Sequence, residues 1–247
     1  MGTRQSMFVG DMFDIKGQKV EVIEYVNSTR VKVRFDDGYE VYAEARNVRN
    51  EDVNNPFKPS VAGVGYRGVG RHLADSRNPV YNAWFNMIRR CYSTEIQTIS
   101  PTYIGCTVTS EWWNFQVFGD WYERVFAGKE NWELDKDLLL KGNKVYSPTM
   151  CSTLPHEINS LLIKSDKARG VCCIGVHWCA ERGKFVAQLS ISGGRKQLGR
   201  FGTELEAFLA YKAAKESFIK QQANKWRDQI DPRAYEALMN YQVEITD

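Results

Sequence analysis

The sequence predicts an α+β protein of several domains: a small β-barrel first, a strand–turn–strand–helix unit in the centre, and a three-stranded sheet with one helix near the end. Three observations predict it. Short alternating runs separated by turn signals fill the first 60 residues. A Gly-Asn turn at Lys141-Gly142-Asn143-Lys144 divides two extended runs ahead of Leu154-Pro155-His156-Glu157, which opens a helix. Three further runs with Gly at their turns lead into Thr203, a helix-capping residue.

The totals set the class. With 43% hydrophobic and 26% charged residues over 247, the composition is that of a soluble globular chain. No apolar run approaches the ~20 residues of a membrane span, so no membrane partner is expected. The first residues, MGTRQSMFVGDMFDIKG, lack an apolar signal core, and a cytoplasmic location follows as the expectation. Six cysteines without CxxC spacing read as reduced thiols. The net charge of +3 hides an asymmetry: Lys164 to Arg227 holds 13 Lys and Arg against 5 Asp and Glu, and the remainder 20 against 25. A basic C-terminal third is the electrostatic footprint of a nucleic-acid partner, against the alternative of a solvated helix face.

In residues 1–60, Val20 to Tyr25, Arg30 to Phe35 and Tyr39 to Tyr42 are β-rich, with turns at Asn27-Ser28 and Asp36-Asp37-Gly38. Val31, Val33 and Phe35 alternate with Lys32 and Arg34, so one face is buried and one wet. The segment resembles a five-stranded barrel of the Tudor or Src-homology kind, whose partners are peptides, nucleic acid or neighbouring domains. Residues 61–77 are a Gly-rich linker. Gly63, Gly65 and Gly68 match a dinucleotide fingerprint by letter, but a Pro-containing linker precedes them and a polar stretch follows. The fingerprint needs a strand before and a helix after. The segment reads instead as an arm along DNA through Arg67 and Arg71.

Asn78-Pro79 starts a helix whose stripe is Val80, Trp84, Met87, Ile88 and Cys91. Ile104 to Val108 reads as a strand. Ser110 caps a helix to about Phe126, dense in Trp112, Trp113, Phe115, Phe118, Trp121 and Tyr122, a packing stripe before a base-stacking one. In Trp132 to Asn159 the strand carries Asp135, Lys136 and Asp137, and Asn159 lies three residues after His156.

The order Trp84, Met87, Cys91, then Tyr103, Gly105, Cys106, then Trp112, Phe115, Phe118, leading to Asp135, resembles phage HNH homing endonucleases over roughly Tyr81 to Asn159, within a domain expected at residues 78–165. The resemblance implies a ββα-metal fold and metal-dependent DNA cleavage, with Asp135 and Asn159 at the family's metal-ligand positions. Asp137 is a plausible third oxygen ligand for Mg²⁺ or another divalent ion. Lys136 stands where the family has its catalytic His. A protonated Lys is a poor base and clamps a phosphate better. His156 is either the substitute base or an exposed helix residue. The alternative to cleavage is an inactive DNA-binding regulator of the same architecture; a third reading is a protein-interaction module.

Residues 168–226 carry Gly175-Val176 with Trp178, Gly183-Lys184-Phe185 with Ala187 and Leu189, Leu198-Gly199 with Phe201, then Thr203, Glu206-Ala207 and Ala210-Tyr211. This resembles the apetala/ethylene-response-factor DNA-binding domain, which lays its sheet in the major groove. The resemblance implies His177, Arg182, Lys184, Gln188, Arg195 and Gln197 as DNA-facing residues. Trp178 and Phe185 are expected in the core. The helix face is expected through Leu205, Phe208, Leu209 and Ala213. The tail, residues 227–247, is expected to pack on another domain or a second subunit. Double-stranded DNA is the expected partner, in an infected bacterial cell.

Overall fold

The computed structural model describes residues 7–126, 129–163, 171–191 and 194–247. Gly193 of the expected Gly193-Gly194 turn, and Lys164, Lys167 and Arg169 of the basic run, lie outside the described residues. The fold is α+β, with several small sheets and seven α-helices among the described residues. The chain divides into two compact units. One is residues 1–93 with 110–119; the other is 94–109 with 120–247. None of the described helices is long and apolar enough to cross a membrane.

The first unit begins with β1 (Met12–Ile15), β2 (Gln18–Asn27), β3 (Arg30–Phe35) and β4 (Glu40–Ala43), antiparallel in that order. Alternation sends Val20, Val22, Val31, Val33 and Phe35 to the buried side, and α1 (Ala45–Arg49) adds Ala45 and Val48 to the same core. The expected barrel does not close. β1 and β4 remain the edges of an open four-stranded sheet, and no fifth strand joins it among the described residues.

Residues 61–70, expected as an arm, are packed into this unit. Val61 bridges Gly65, and Tyr66 bridges Asn114. A Cβ on Gly65 would come within 2.9 Å of the Trp84 ring, and Gly68 has φ of +66° beside the Asn114 side chain. Those two positions need glycine for packing, and Gly63 for its φ of +73°, which accounts for the three fingerprint letters. Gln116 holds the segment's end: its Oε1 accepts from His72 N (2.9 Å), and its Nε2 donates to the carbonyls of His72 (3.0 Å) and Arg67 (3.2 Å). Helix α2 (Pro79–Tyr92) starts as its sequence predicts, with Asn78 Oδ1 accepting from Val80 N at 3.0 Å. Trp84 is fully buried, and its Nε1 donates to the Trp112 carbonyl at 2.7 Å.

The second unit contains α3 (Thr94–Ile99), then β5, which is only Thr107–Val108 rather than a strand from Ile104. A 3-10 turn of the first unit, Ser110–Trp113, precedes α4 (Phe115–Phe126), which belongs to the first unit up to Gly119 and to the second from Asp120, so the expected single helix is two pieces. Trp112, Phe115, Phe118 and Trp121 are buried, as a packing stripe requires. β6 (Trp132–Asp135), β7 (Val145–Tyr146) and β8 (Ser152–Pro155) lead into α5 (His156–Leu162). The hairpin differs from expectation. Val145–Tyr146 turns away to pair in parallel with β5, and β6 pairs antiparallel with β8, Asp135 opposite Ser152. Leu154 on β8 is fully buried and packs with Ile158 of α5.

β9 (Val176–Cys179), β10 (Lys184–Ile191) and β11 (Gly194–Phe201) form an antiparallel sheet with β10 central. Helix α6 (Glu204–Lys225) follows a complete capping box: Thr203 Oγ1 accepts from Glu206 N, and Glu206 Oε2 accepts from Thr203 N. Its buried face is Ala207, Phe208, Tyr211, Lys215, Ile219 and Ala223. Leu205 and Leu209 are instead 56% and 53% exposed, and Ala213 is exposed as well. The 22 residues of α6, about 33 Å long, join two apolar clusters. Phe208 and Tyr211 pack with Ala187 and Leu189 of the sheet; Ile219 and Ala223 pack with Leu154 and Ile158. The tail closes both. Ala234 and Leu238 of α7 (Pro232–Met239) join the second cluster, and Val243 joins the first.

Candidate functional site

The acidic stretch after β6 is a satisfied turn. Asp135 Oδ1 accepts from the backbone N–H of Asp137 (2.9 Å) and Leu138 (2.6 Å), which ends the strand. Burial pushes the Asp135 carboxyl above its ordinary range, against the pull of those two N–H groups. Lys136 is only 8% exposed. Its Nζ donates to both oxygens of Asp137 (2.7 and 2.6 Å) and to the Asn143 carbonyl (3.0 Å), so the ammonium has a partner for each proton. Asn143 closes the loop, donating to the carbonyls of Lys136 and Val145, both at 2.8 Å. Cys151, just ahead of β8, is a buried thiol pushed up to about 12 by desolvation, and is no nucleophile.

A divalent ion needs oxygen lone pairs directed at one point. Asp135 spends one oxygen on two backbone N–H groups, Asp137 turns both of its oxygens to Lys136, and Asn159 turns its amide N–H to Glu133. That donor set does not fit a common ion. No three His, Cys, Asp or Glu among the described residues group to hold a metal.

Glu133 is the residue that sequence reasoning passed over. It sits on β6 two residues before Asp135 and opposite Leu154, which is two positions before α5 begins at His156. Its Oε1 lies 2.8 Å from His156 Nδ1, and its Oε2 accepts from Asn159 Nδ2. His156 and Asn159 are one turn apart on α5, so one carboxylate spans both. Glu133 and His156 line a groove of about 660 Å³ together with Glu130, Asn131, Trp132, Pro155, Glu157 and Trp226. Trp132 and Trp226 meet edge to face at 5.8 Å. Hydrogen bonds from Lys225 and Trp226 hold the Glu157 carboxyl below its ordinary range. The signal in the sequence was the alternation Trp132-Glu133-Leu134-Asp135, which puts Glu133 and Asp135 on one strand face.

The C-terminal sheet presents a second arrangement. Phe185, Ala187, Leu189 and Ile191 face α6, so Lys184, Val186, Gln188 and Ser190 share the opposite face. Register adds their neighbours: Cys179 beside Lys184, His177 and Arg200 beside Val186, Gln197 beside Gln188, and Arg195 beside Ser190. A bulge at Leu198 shifts the register, so that Arg195, Gln197 and Arg200 share a face despite their spacing. Arg200 was missed because simple alternation puts residue 199 there. His177, Lys184, Arg195, Gln197 and Arg200 are exposed. Lys184, Arg195 and Arg200 have no ion pair among the described residues, and the face carries no carboxylate. Arg182 is exposed in the turn Ala180–Arg182 between β9 and β10. Trp178 packs on Phe185 at 4.8 Å but is 49% exposed, outside the core expected for it. Arg67 and Arg71 are exposed in the first unit.

No protein-family model, no curated protein and no solved structure matches the chain.

Proposed function

We propose that the chain binds duplex DNA through the face of β9, β10 and β11 turned away from α6. One observation carries this reading: three exposed cations without ion pairs among the described residues, Lys184, Arg195 and Arg200, interleave with His177, Gln188 and Gln197, with no carboxylate among them. Uncompensated positive charge attracts the phosphate backbone, and its release of counterions makes affinity fall steeply with salt. Arg is suited to guanine edges and Gln to adenine edges, both in bidentate geometry. Three strands set their outer members about 10 Å apart, within the ~12 Å width of a major groove. The apetala-type resemblance supports the same face.

The test is a titration of labelled random-sequence duplex with the full chain at rising salt. A steep loss of affinity with salt, shared by no neutral ligand, is the expected outcome. Binding that ignores salt would sink the reading and favour a protein partner. Metal-dependent cleavage, the activity implied by the HNH resemblance, is the second reading. Asp135, Asp137 and Asn159 do not offer it a ligand set. The observation that favours cleavage is the Glu133–His156 contact beside the groove.

A further inference from the structure

We infer that the groove beside Trp132 and Trp226 is a binding site for a guanine nucleotide. The base stacks on an indole, its two adjacent N–H donors meet the Glu130 carboxylate, and a lysine beside the rings meets the phosphate. The groove's volume, about 660 Å³, is within the range of small-molecule sites. Trp132 and Trp226 stand at 86° with their centroids 5.8 Å apart, so they form a corner rather than a parallel slot. A planar base lying on one ring turns an edge to the other. Trp226 is held in place, because its Nε1 donates to Glu157 Oε1 and the residue caps the C-terminus of α6. Buried Pro155 adds a further apolar wall.

The polar groups decide the ligand. Lys129 Nζ lies 4.4 Å over the Trp132 ring, and Lys225 Nζ lies 5.2 Å over the Trp226 ring. Two ammonium groups already at the rings disfavour a cationic ligand and suit a flat neutral base that carries a phosphate. Glu133 has both oxygens engaged by His156 and Asn159, and Glu157 has Oε1 engaged by Lys225 and Trp226. The Glu130 carboxylate and Glu157 Oε2 make no hydrogen bond or ion pair among the described residues. An ionised carboxylate only accepts, so a base edge facing Glu130 must present donors. Guanine alone presents two side by side, its N1–H and its 2-amino group. Adenine and cytosine set a ring-nitrogen acceptor beside the amino group, and uracil and thymine flank one N–H with two carbonyls. Those edges leave a carboxylate oxygen facing an acceptor, which is the source of discrimination. None of these residues belongs to the face of β9, β10 and β11, so the site stands or falls without duplex binding.

The test is calorimetric titration of the full chain with GMP, IMP, AMP, CMP and UMP, and with an oligothymidylate strand carrying one dG. IMP keeps the N1–H and lacks the 2-amino group. GMP is expected to bind about tenfold or more tighter than IMP or AMP. Glu130→Gln, at an exposed position, should remove that preference in a protein that melts as wild type does. Trp132→Ala should weaken GMP about tenfold or more. Guanosine should bind more weakly than GMP, and Lys129→Ala with Lys225→Ala should erase that difference. Tighter binding of the dG strand than of GMP assigns the ligand to an unpaired base in a strand, and the reverse assigns it to a free nucleotide. Equal binding of the five nucleotides, binding of none, or a GMP preference retained in Glu130→Gln overturns the site. Binding of arginine amide in place of the nucleotides overturns it in favour of a cationic ligand.

Discussion

The two larger sheets of this chain are both antiparallel, and both turn a charged face away from their cores, yet they use charge in opposite ways. On the N-terminal sheet Lys32 and Arg34 meet carboxylates across the strands, and Arg30 lies 4.6 Å over the Tyr42 ring. Lys32 and Arg34 both reach Glu40 (2.6 and 2.8 Å), Arg34 also approaches Glu21 (4.0 Å), and Tyr42 donates to Glu24 (2.9 Å). On the C-terminal sheet Lys184, Arg195 and Arg200 face solvent with no acid in their rows. A ladder that neutralises itself stabilises its own strands and gives a polyanion little to bind. A ladder of one sign is a docking face. Counting Lys and Arg does not separate the two; the register does.

The largest effect expected is on DNA affinity. The double variant Arg195→Ala with Arg200→Ala should lose about 2–6 kcal/mol, from two contacts of about 1–3 kcal/mol each. Arg34→Ala, the matching change on the neutralised sheet, should leave the titration curve in place. Equal losses from both sheets would break the comparison. Buried charge comes next. Asp137→Ala strips the Lys136 ammonium of its carboxylate, and denaturant unfolding should show a loss of about 2 kcal/mol. Little change there would mean that the Asn143 carbonyl and the Tyr146 ring, 5.8 Å from the ammonium, suffice for Lys136.

Smaller effects separate folding from binding. Thr203→Ala removes the cap of α6 and should cost about 1 kcal/mol of stability, with DNA affinity per folded molecule unchanged. Asp135→Asn keeps the oxygen that takes two N–H bonds and removes a charge that burial disfavours. A raised carboxyl pKa means that the ionised form costs stability above the folded pKa, and that the cost vanishes once the carboxyl is protonated. The variant should therefore melt higher than wild type at neutral pH, and the gap should close as pH falls through the carboxylate range. A gap that widens on acidification contradicts the burial argument. Least of all, Glu40→Gln leaves Lys32 and Arg34 without their shared carboxylate; a slight rise in salt-sensitive DNA binding is expected, with melting almost unmoved.

Local signals were legible in the sequence. Asn78-Pro79 and Thr203 cap the helices that follow them, and the turns at Asp36-Asp37-Gly38 and Gly183 divide strands as expected. Long-range partners were not. The Gly142 turn exists, but nothing local tells Val145 that its neighbour is Thr107 rather than β6. The barrel failed for the same reason, since closure depends on an edge pairing that no short run encodes. On α6 the buried face follows contacts with two clusters along about 33 Å, so Tyr211 and Ile219 are inside and Leu205 and Leu209 are not. Of the site, His177, Lys184, Gln188, Arg195 and Gln197 share one face. Arg200 needed the bulge at Leu198 to be seen, and Glu133 needed the pairing of β6 with β8.

The most direct test of the account is the salt dependence of duplex binding by the full chain beside the Arg195→Ala, Arg200→Ala double variant. Each phosphate contact contributes about 0.9 to the slope of log affinity against log salt. A steep wild-type slope with weaker binding in the double variant is predicted, the slope falling by up to about 2 if both arginines meet phosphate. A wild-type chain that binds without salt dependence, or a double variant that binds as wild type does, would contradict it.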